Sequence, residues 1–154
     1  MWDVRTASPV RTLPSVGAVS SIELAGGGRY VVTTDGKSVD FRDGASLELL
    51  RSHAIPGYEV ESASYSPEHG KFVVGGADMW VHLHDYETGA ELETGKGHHG
   101  PVHCVRFAPG GATYASGSED GTIRIWQTEF LNNKEKDAAA AAGAIAVPID
   151  VTTA

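Results

Sequence analysis

The chain has 154 residues and a net charge of −8, a length that favours a single domain. Hydrophobic residues make up 41% and charged residues 21%, enough for a packed core and too few charges for wholesale disorder. The basic residues are spread singly, and phosphate backbones are bound by clustered Lys and Arg, so direct nucleic-acid binding is not expected.

Three segments repeat one pattern of short apolar runs separated by Gly- and Pro-rich turns. The first predicts strands at 19–24, 30–33, 38–41 and 47–50. The second predicts strands at 62–65, 71–76, 80–84 and 90–94. The third predicts strands at 102–107, 113–118 and 122–126, with Asp120-Gly121 as the hairpin turn between the last two. No convincing helix is predicted before residue 130.

The repeat has a regular period, marked by one aspartate in each segment. Asp35, Asp78 and Asp120 lie 43 and 42 residues apart. A period of about 40–45 residues with four strands is typical of a β-propeller blade. We therefore predict an all-β fold with about three four-stranded antiparallel blades at 15–54, 55–96 and 97–128, all within a partial propeller at 1–130.

The third segment resembles a WD40 repeat. This family carries a Gly-His near the start of each repeat and a Trp-Asp at its end, and here Gly97-His98 precedes Trp126 by a permitted distance. The final Asp is absent, because Gln127 follows Trp126. The resemblance implies a buried hydrogen-bond chain that runs through Trp126, Ser116, His98 and Asp120, and a satisfied network of this kind fixes one packing.

The other repeats are degenerate. At the Ser and Trp positions we expect Val74 and His84 in the second repeat, and Val31 and Phe41 in the first. The opening residues 1–3 have the pattern of the Trp-Asp end of a further repeat. Residues 4–13 would then be the outer strand of a preceding blade, which occupies 1–14.

Within the WD40 family, residues 97–107 and 114–121 resemble the last repeat of seven-bladed scaffolds of the serine-threonine kinase receptor-associated group. The resemblance implies a non-catalytic protein-protein interaction scaffold. Its expected setting is ribonucleoprotein assembly and mRNA splicing with the survival-of-motor-neuron complex, or receptor-kinase signalling. The alternative is a WD40 subunit of translation initiation factor 3. The expected partners are other proteins, with no small-molecule substrate and no cofactor.

An enzyme with a propeller-mounted site is the alternative from another class. Ser116, His98 and Asp120 are the residue types of a hydrolase triad, but no nucleophile elbow accompanies them. The structural network explains the same three residues, so no catalytic residue is assigned. His82 and His84 share one face of a strand, but no third ligand joins them at a familiar spacing, so no metal site is assigned.

Three residues are candidates for contact with a partner: Trp80, His99 and Glu119. Trp80 breaks the repeat alignment and fits either a surface anchor or the blade core, since Trp is favoured in both settings. His99 is expected on a loop. Cys104, the only cysteine, is predicted to be a buried small hydrophobic residue of an inner strand.

The sequence carries no signal-peptide pattern, disulfide pair or zinc spacing. The small-apolar stretch 138–147 is about half the length of a membrane span. We therefore expect a cytoplasmic location, with the nucleus as a second one, and no membrane partner. Residues 131–154 are predicted to be a low-complexity, poorly ordered tail. Three blades do not close a ring, so we expect the chain to correspond to part of a seven-bladed protein.

Overall fold

A computed structural model of the protein describes residues 2–15 and 17–128, with Trp2 described by its backbone alone. Over these residues the chain forms thirteen β-strands and a single 3-10 turn at Gly26–Gly28. The predicted all-β class is therefore confirmed. The predicted tail at 131–154 lies outside the described residues. In the described part of the chain, no helix has the length and apolarity needed to cross a membrane.

Three antiparallel sheets follow one another along the chain, and each is one blade. Blade 1 has the strands β3 (Ser21–Ala25), β4 (Tyr30–Thr34), β5 (Ser38–Asp43) and β6 (Leu49–Ala54). Blade 2 has β7 (Val60–Ser66), β8 (Lys71–Gly76), β9 (Trp80–Asp85) and β10 (Glu91–Lys96). Blade 3 has β11 (Val102–Phe107), β12 (Thr113–Ser118) and β13 (Ile123–Gln127). In each blade, neighbours in the chain are neighbours in the sheet.

The three periodic aspartates form the turn between the second and third strand of each blade. Asp35 Oδ1 accepts a hydrogen bond from the backbone N–H of Ser38 at 2.9 Å. Asp120 Oδ1 accepts one from the N–H of Thr122 at 2.9 Å. Asp78 Oδ1 accepts one, at 3.3 Å, from the backbone N–H two residues further along the chain. Such local bonds are the reason that Asp favours turns, and they explain the period seen in the sequence.

The blades stack through two apolar cores. We call the side of a blade that faces the preceding blade its front face, and the opposite side its back face. Since side chains alternate along a strand, adjacent residues of one strand reach different cores. The first core joins the back face of blade 1 to the front face of blade 2, and the second joins blades 2 and 3. The buried members of the first core are Ala25, Val32, Val39, Phe41, Ile55, Val60, Ala63, Tyr65, Phe72 and Val74; those of the second are Val73, Val81, Leu83, Val102, Val105 and Tyr114.

An N-terminal hairpin precedes blade 1. Its strands are β1 (Trp2–Asp3) and β2 (Ser8–Pro9), which pair antiparallel. The prediction of one strand at 4–13 is therefore wrong, because residues 4–7 form a turn. This turn has the geometry of the turns between the third and fourth strands of blades 1 and 2. In each of them an Asp side chain accepts a hydrogen bond from a backbone N–H within the turn, and the fifth residue, counted from that Asp, has positive φ. The Asp residues are Asp3, Asp43 and Asp85, and the positive-φ residues are Ala7, Leu47 and Gly89.

Blade 1 differs from the predicted alignment at two positions. Phe41 pairs with Val32, and both lie on the back face in the core shared with blade 2. Val31 pairs with Arg42 across the two strands, and this pair corresponds to the pair of Tyr114 and Trp126 in blade 3. Arg42 therefore occupies the Trp position, and the assignment of Val31 and Phe41 to the network positions is wrong. By pairing register the turn at Asp35 is one residue shorter than those of the other blades, so an alignment on the aspartates shifts the strands.

Candidate functional site

The structure brings the four predicted network residues of blade 3 together. The indole Nε1 of Trp126 donates to Ser116 Oγ at 2.7 Å, and Ser116 Oγ lies 2.7 Å from His98 Nε2. His98 Nδ1 lies 3.1 Å from Asp120 Oδ2. These contacts link the loop before β11 to β12, β13 and the turn between them.

The donors and acceptors assign a direction to this chain of bonds. Asp120 is a carboxylate and only accepts, so in the neutral imidazole of His98 the proton is at Nδ1. Nε2 is then an acceptor, and the Ser116 hydroxyl donates to it. Trp126 can only donate, and Ser116 Oγ accepts from it. Each bond thus polarises the next in the same direction, which strengthens the set beyond independent pairs.

Asp120 is the residue that ties the loop to the turn. Its Oδ2 accepts from the backbone N–H of His99 at 2.8 Å, and its Oδ1 accepts from the Thr122 hydroxyl at 2.7 Å. The bond from His99, followed by those from Thr122 and His98, holds the pKa of the Asp120 carboxyl well below its ordinary value. Asp120 is therefore ionised at neutral pH and accepts all of these bonds.

A glycine of the neighbouring blade makes room for the indole of Trp126. A Cβ at Gly95, in β10, would lie 2.9 Å from the Trp126 ring, closer than carbon atoms normally pack. The ring also stacks on Tyr114 with centroids 6.2 Å apart. The indole is thus fixed between two blades, with its N–H aimed at Ser116.

The geometry of the network does not present a nucleophile. Ser116 is 1% exposed, and its hydroxyl hydrogen is used in the bond to His98. A triad serine attacks a bound substrate and therefore has to be accessible in a cleft. The three triad-type side chains here bond one another inside the blade.

Blade 2 replaces this network with a different set of contacts. Val74 and His84 occupy the Ser and Trp positions, as the pairing of Val74 with His82 and of Phe72 with His84 shows. His82 lies between two carboxylates, with Nε2 at 2.8 Å from Asp78 and Nδ1 at 3.1 Å from Glu91. No three His, Cys, Asp or Glu side chains in 2–15 and 17–128 are grouped so as to hold a metal ion.

The three predicted contact residues lie on the surface, and each has a different set of contacts among the described residues. Trp80 is 38% exposed, and the ammonium of Lys96 lies 4.0 Å from its ring centroid. His99 is exposed on the loop that Asp120 holds. Glu119 is exposed beside His103, with the carboxylate 3.6 Å from Nε2.

Cys104 corrects a further expectation. It is exposed rather than buried. The pairing of β11 with β12 shifts register between Val102 and Cys104, so alternation counted along the sequence does not predict the face of the strand. Val102 and Val105 are both buried against blade 2, and Cys104 lies on the back face of blade 3.

The hydrogen bonds that join the inner strands of different blades were not predicted from the sequence. Ser64 Oγ donates to Glu23 Oε1 at 2.9 Å and accepts from the backbone N–H of Phe107 at 2.9 Å. Ser62 Oγ accepts from the N–H of Val105 at 3.3 Å and from the Arg106 guanidinium at 3.0 Å. The pattern that could have revealed them is the recurrence of polar residues at equivalent positions of β3 and β7.

The sheets, the period and the network define a class of protein, and comparison with known proteins supports the assignment. Residues 89–127 match the family model described as WD domain, G-beta repeat. This range contains His98, Ser116, Asp120 and Trp126. The chain thus contains a WD40 repeat and has an open, propeller-like β fold.

The chain is similar to proteins named serine-threonine kinase receptor-associated protein. It is 46% identical to that of Dictyostelium discoideum over 127 residues, which is 82% of this chain and 43% of the relative. It is 46% identical to that of Homo sapiens over 128 residues, 83% of this chain and 36% of the relative. The predicted resemblance to this group is confirmed.

A second similarity concerns the predicted alternative. The chain is 28% identical over 141 residues to eukaryotic translation initiation factor 3 subunit I of Culex quinquefasciatus, which covers 81% of this chain and 43% of that protein. In all three cases the chain spans less than half the length of the relative.

Proposed function

We propose that the chain is part of a non-catalytic protein-protein interaction scaffold. The observation that carries this proposal is that some polar groups of blade 3 are bonded inside the blade while others face solvent. The triad-type residues bond one another inside the blade, and they join a loop and a turn that present His99 and Glu119, respectively, to solvent. A rigid, preorganised loop on a β scaffold lowers the entropic cost of binding a partner.

Trp80 is the best-suited anchor for a partner among the exposed residues. Large aromatic side chains dominate the energetics of interfaces. The contact with Lys96 holds the indole at the surface in one orientation, so less side-chain freedom would be lost on binding. We assign Trp80 the role of principal contact, and His99 and Glu119 the role of a polar contact on blade 3.

The partners in this proposal are other proteins of one of two assemblies. The name of the relatives supports association with a serine-threonine kinase receptor. The family resemblance of the 97–128 repeat supports ribonucleoprotein assembly and mRNA splicing with the survival-of-motor-neuron complex. The single, dispersed cations and the charge of −8 favour proteins over nucleic acid as the binding partner. The proposed location is the cytoplasm, and also the nucleus.

Direct binding of purified components tests the proposal. The immobilised chain is presented with the cytoplasmic domain of a serine-threonine kinase receptor, with subunits of the survival-of-motor-neuron complex, and with translation initiation factor 3. We expect binding to one of the first two, and Trp80→Ala to weaken it by about 2 kcal/mol or more.

Leu92→Ala is the matched control, since Leu92 is also an exposed apolar residue of blade 2. Binding to translation initiation factor 3 alone would favour the alternative. Failure of the folded chain to bind any of the three would contradict the proposal. Turnover of a substrate that depends on His98 in a folded variant would favour an enzyme.

A further inference from the structure

Met79 has a backbone conformation that the other two blades give to glycine. It follows the periodic aspartate of blade 2, and its φ of 70° lies in the left-handed region. Gly36 and Gly121 follow the aspartates of blades 1 and 3, with φ of 85° and 78°. A bulky side chain in this region costs stability, whereas glycine adopts it freely. Because Met79 is 41% exposed, burial in a core does not offset that cost.

Trp80 places a second large apolar side chain next to Met79. It is 38% exposed, and it pairs across the sheet with Lys96, whose ammonium lies 4.0 Å from the centroid of the indole ring. We call Met79, Trp80 and Lys96 the blade 2 patch. Backbone strain at an exposed position points to a function, and large exposed side chains such as Trp are the anchors of protein interfaces.

The blade 2 patch lies on the middle blade, away from both ends of the stack. Blade 2 has all four of its strands, and its two faces are covered by blades 1 and 3 within this chain. Met79 and Trp80 lie at the turn between the second and third strands, and Lys96 ends the fourth strand. Blades pack through their faces, so the exposure of these three residues does not depend on a further blade.

The carboxylates on either side of the His82 ring leave the charge of Lys96 uncompensated. Asp78 Oδ2 lies 2.8 Å from His82 Nε2, and Glu91 Oε2 lies 3.1 Å from Nδ1. Within the described part of the chain, Lys96 forms no ion pair. The contact with Trp80 orients the ammonium but does not neutralise it. The patch therefore combines two exposed apolar side chains with a positive charge.

We propose that the blade 2 patch binds a partner segment in which a carboxylate lies next to apolar side chains. The carboxylate pairs with Lys96, and the apolar side chains cover Met79 and Trp80. A cationic residue at the same place would meet Lys96 as a like charge. A purely apolar segment would take water from the ammonium without replacing it. This inference rests on the proposed scaffold function, since it names the chemistry of the segment that Trp80 anchors.

Binding of three synthetic peptides to the full 154-residue chain tests the inference. The peptides share one set of Leu and Phe residues and carry Glu, Gln or Lys at the same intervening positions. Fluorescence anisotropy of the labelled peptides measures their affinities. We expect the Glu peptide to bind about fivefold or more tightly than the Lys peptide, with the Gln peptide between them.

Methyl NMR on methionine-labelled protein locates the bound peptide. The chain has two methionines, Met1 and Met79, so the spectrum is simple to assign. The Glu peptide should shift the methyl signal of Met79 in a saturable manner. Saturable binding that leaves this signal unshifted would overturn the inference, because the peptide would then bind elsewhere.

Charge reversal at Lys96 is the decisive variant. Lys96→Glu should invert the order of the three peptides, whereas Lys96→Arg should keep it. Lys37→Glu, at an exposed lysine in the equivalent turn of blade 1, changes the net charge by the same amount and should leave the order unchanged. Both lysines are exposed, so the variants should fold, and their circular dichroism spectra check this.

Met79→Gly separates the cost of the strain from its use. Because glycine adopts the left-handed conformation freely, the variant should melt at a higher temperature than the original chain and bind the Glu peptide less tightly. Met79→Ala keeps the strained backbone, so it should lose affinity without the gain in melting temperature. A Met79→Gly variant that binds as tightly as the original chain would show that the side chain is not part of the site.

The outcomes of the titrations are distinct from failure of the proposed function. No binding of any peptide, equal affinities, tighter binding of the Lys peptide, or an order unchanged by Lys96→Glu would overturn the inference. If an assembly nevertheless binds in a manner that depends on Trp80, the scaffold function stands and the chemistry of the segment is wrong. If the Glu peptide binds as expected and no assembly does, the chemistry stands and the assignment of the assemblies fails.

Discussion

Glu23 and Ser64 join the inner strands of blades 1 and 2 by a hydrogen bond of 2.9 Å between their side chains. The same carboxylate accepts from the backbone N–H of Tyr65 at 3.0 Å. Ser64 in turn accepts from the N–H of Phe107 in blade 3. Polar side chains of the inner strands of blades 1 and 2 thus bind the backbone of the next blade, beside an otherwise apolar contact.

Glu23→Ala should lower the free energy of unfolding by about 1–3 kcal/mol, because it leaves the N–H of Tyr65 and the hydroxyl of Ser64 without their acceptor. Chemical denaturation followed by circular dichroism measures this loss. Glu68→Ala, at an exposed glutamate of blade 2, should have an effect within about 0.5 kcal/mol. Equal stabilities of the two variants would remove the proposed role of Glu23 between the blades.

Ser116→Ala should destabilise the chain by about 1–3 kcal/mol, because the indole N–H of Trp126 and Nε2 of His98 both lose their partner in a buried site. Ser116→Thr, which keeps the hydroxyl, should retain more of the stability, although its added methyl group has to be accommodated in the core. The comparison of the two denaturation midpoints checks the network. An alanine variant as stable as the original chain would show that the bonds contribute nothing.

Gly95→Ala should displace the Trp126 ring, because the added Cβ would lie 2.9 Å from it. Overpacking of this kind costs about 1–3 kcal/mol, and the change should be visible in tryptophan fluorescence. Gly117→Ala is the matched control, since no atom lies within 4 Å of the Cβ position there. If both glycine variants melt at the same temperature, the close approach of the two blades at Gly95 is not the cause of the loss of stability.

Stability should fall on acidification, through Asp120 and Asp85. The pKa of Asp120 is lowered mainly by the bond from the N–H of His99, and that of Asp85 mainly by the bond from Lys71. A carboxyl with a lowered pKa in the fold stabilises it fully above the ordinary value of 3.8, and this contribution is lost as the pH falls below that value. Melting temperatures between pH 6 and pH 2.5 measure the decline.

Asp120→Asn should flatten this decline, because the variant has no proton to take up at that position. Asp120→Asn should also melt lower than the original chain at pH 6 and approach it at the acid end. A decline of unchanged slope in the variant would show that Asp120 does not contribute to the acid sensitivity.

The local elements of this protein could be predicted because they depend on local chemistry. Three strands, Lys71–Gly76, Val102–Phe107 and Thr113–Ser118, have the predicted bounds, since alternating apolar residues end there at Gly, Pro, Asp or Ser. The prediction failed where a single residue changes the register. The left-handed conformation of Leu47 delays the fourth strand of blade 1 to Leu49, and the irregular pairing at Cys104 turns that side chain to the surface.

The sequence by itself determined the all-β class and the period of the blades, because both follow from spacing within about forty residues. The resemblance to a WD40 repeat implied the four residues of the blade 3 network. Only the tertiary structure decided which polar residues join the blades and which apolar faces stay open. Glu23 and Ser64 lie 41 residues apart, and both resemble solvent-facing strand residues in the sequence. Ile123 and Ile125 resemble core residues, but their burial depends on whether another blade packs against them.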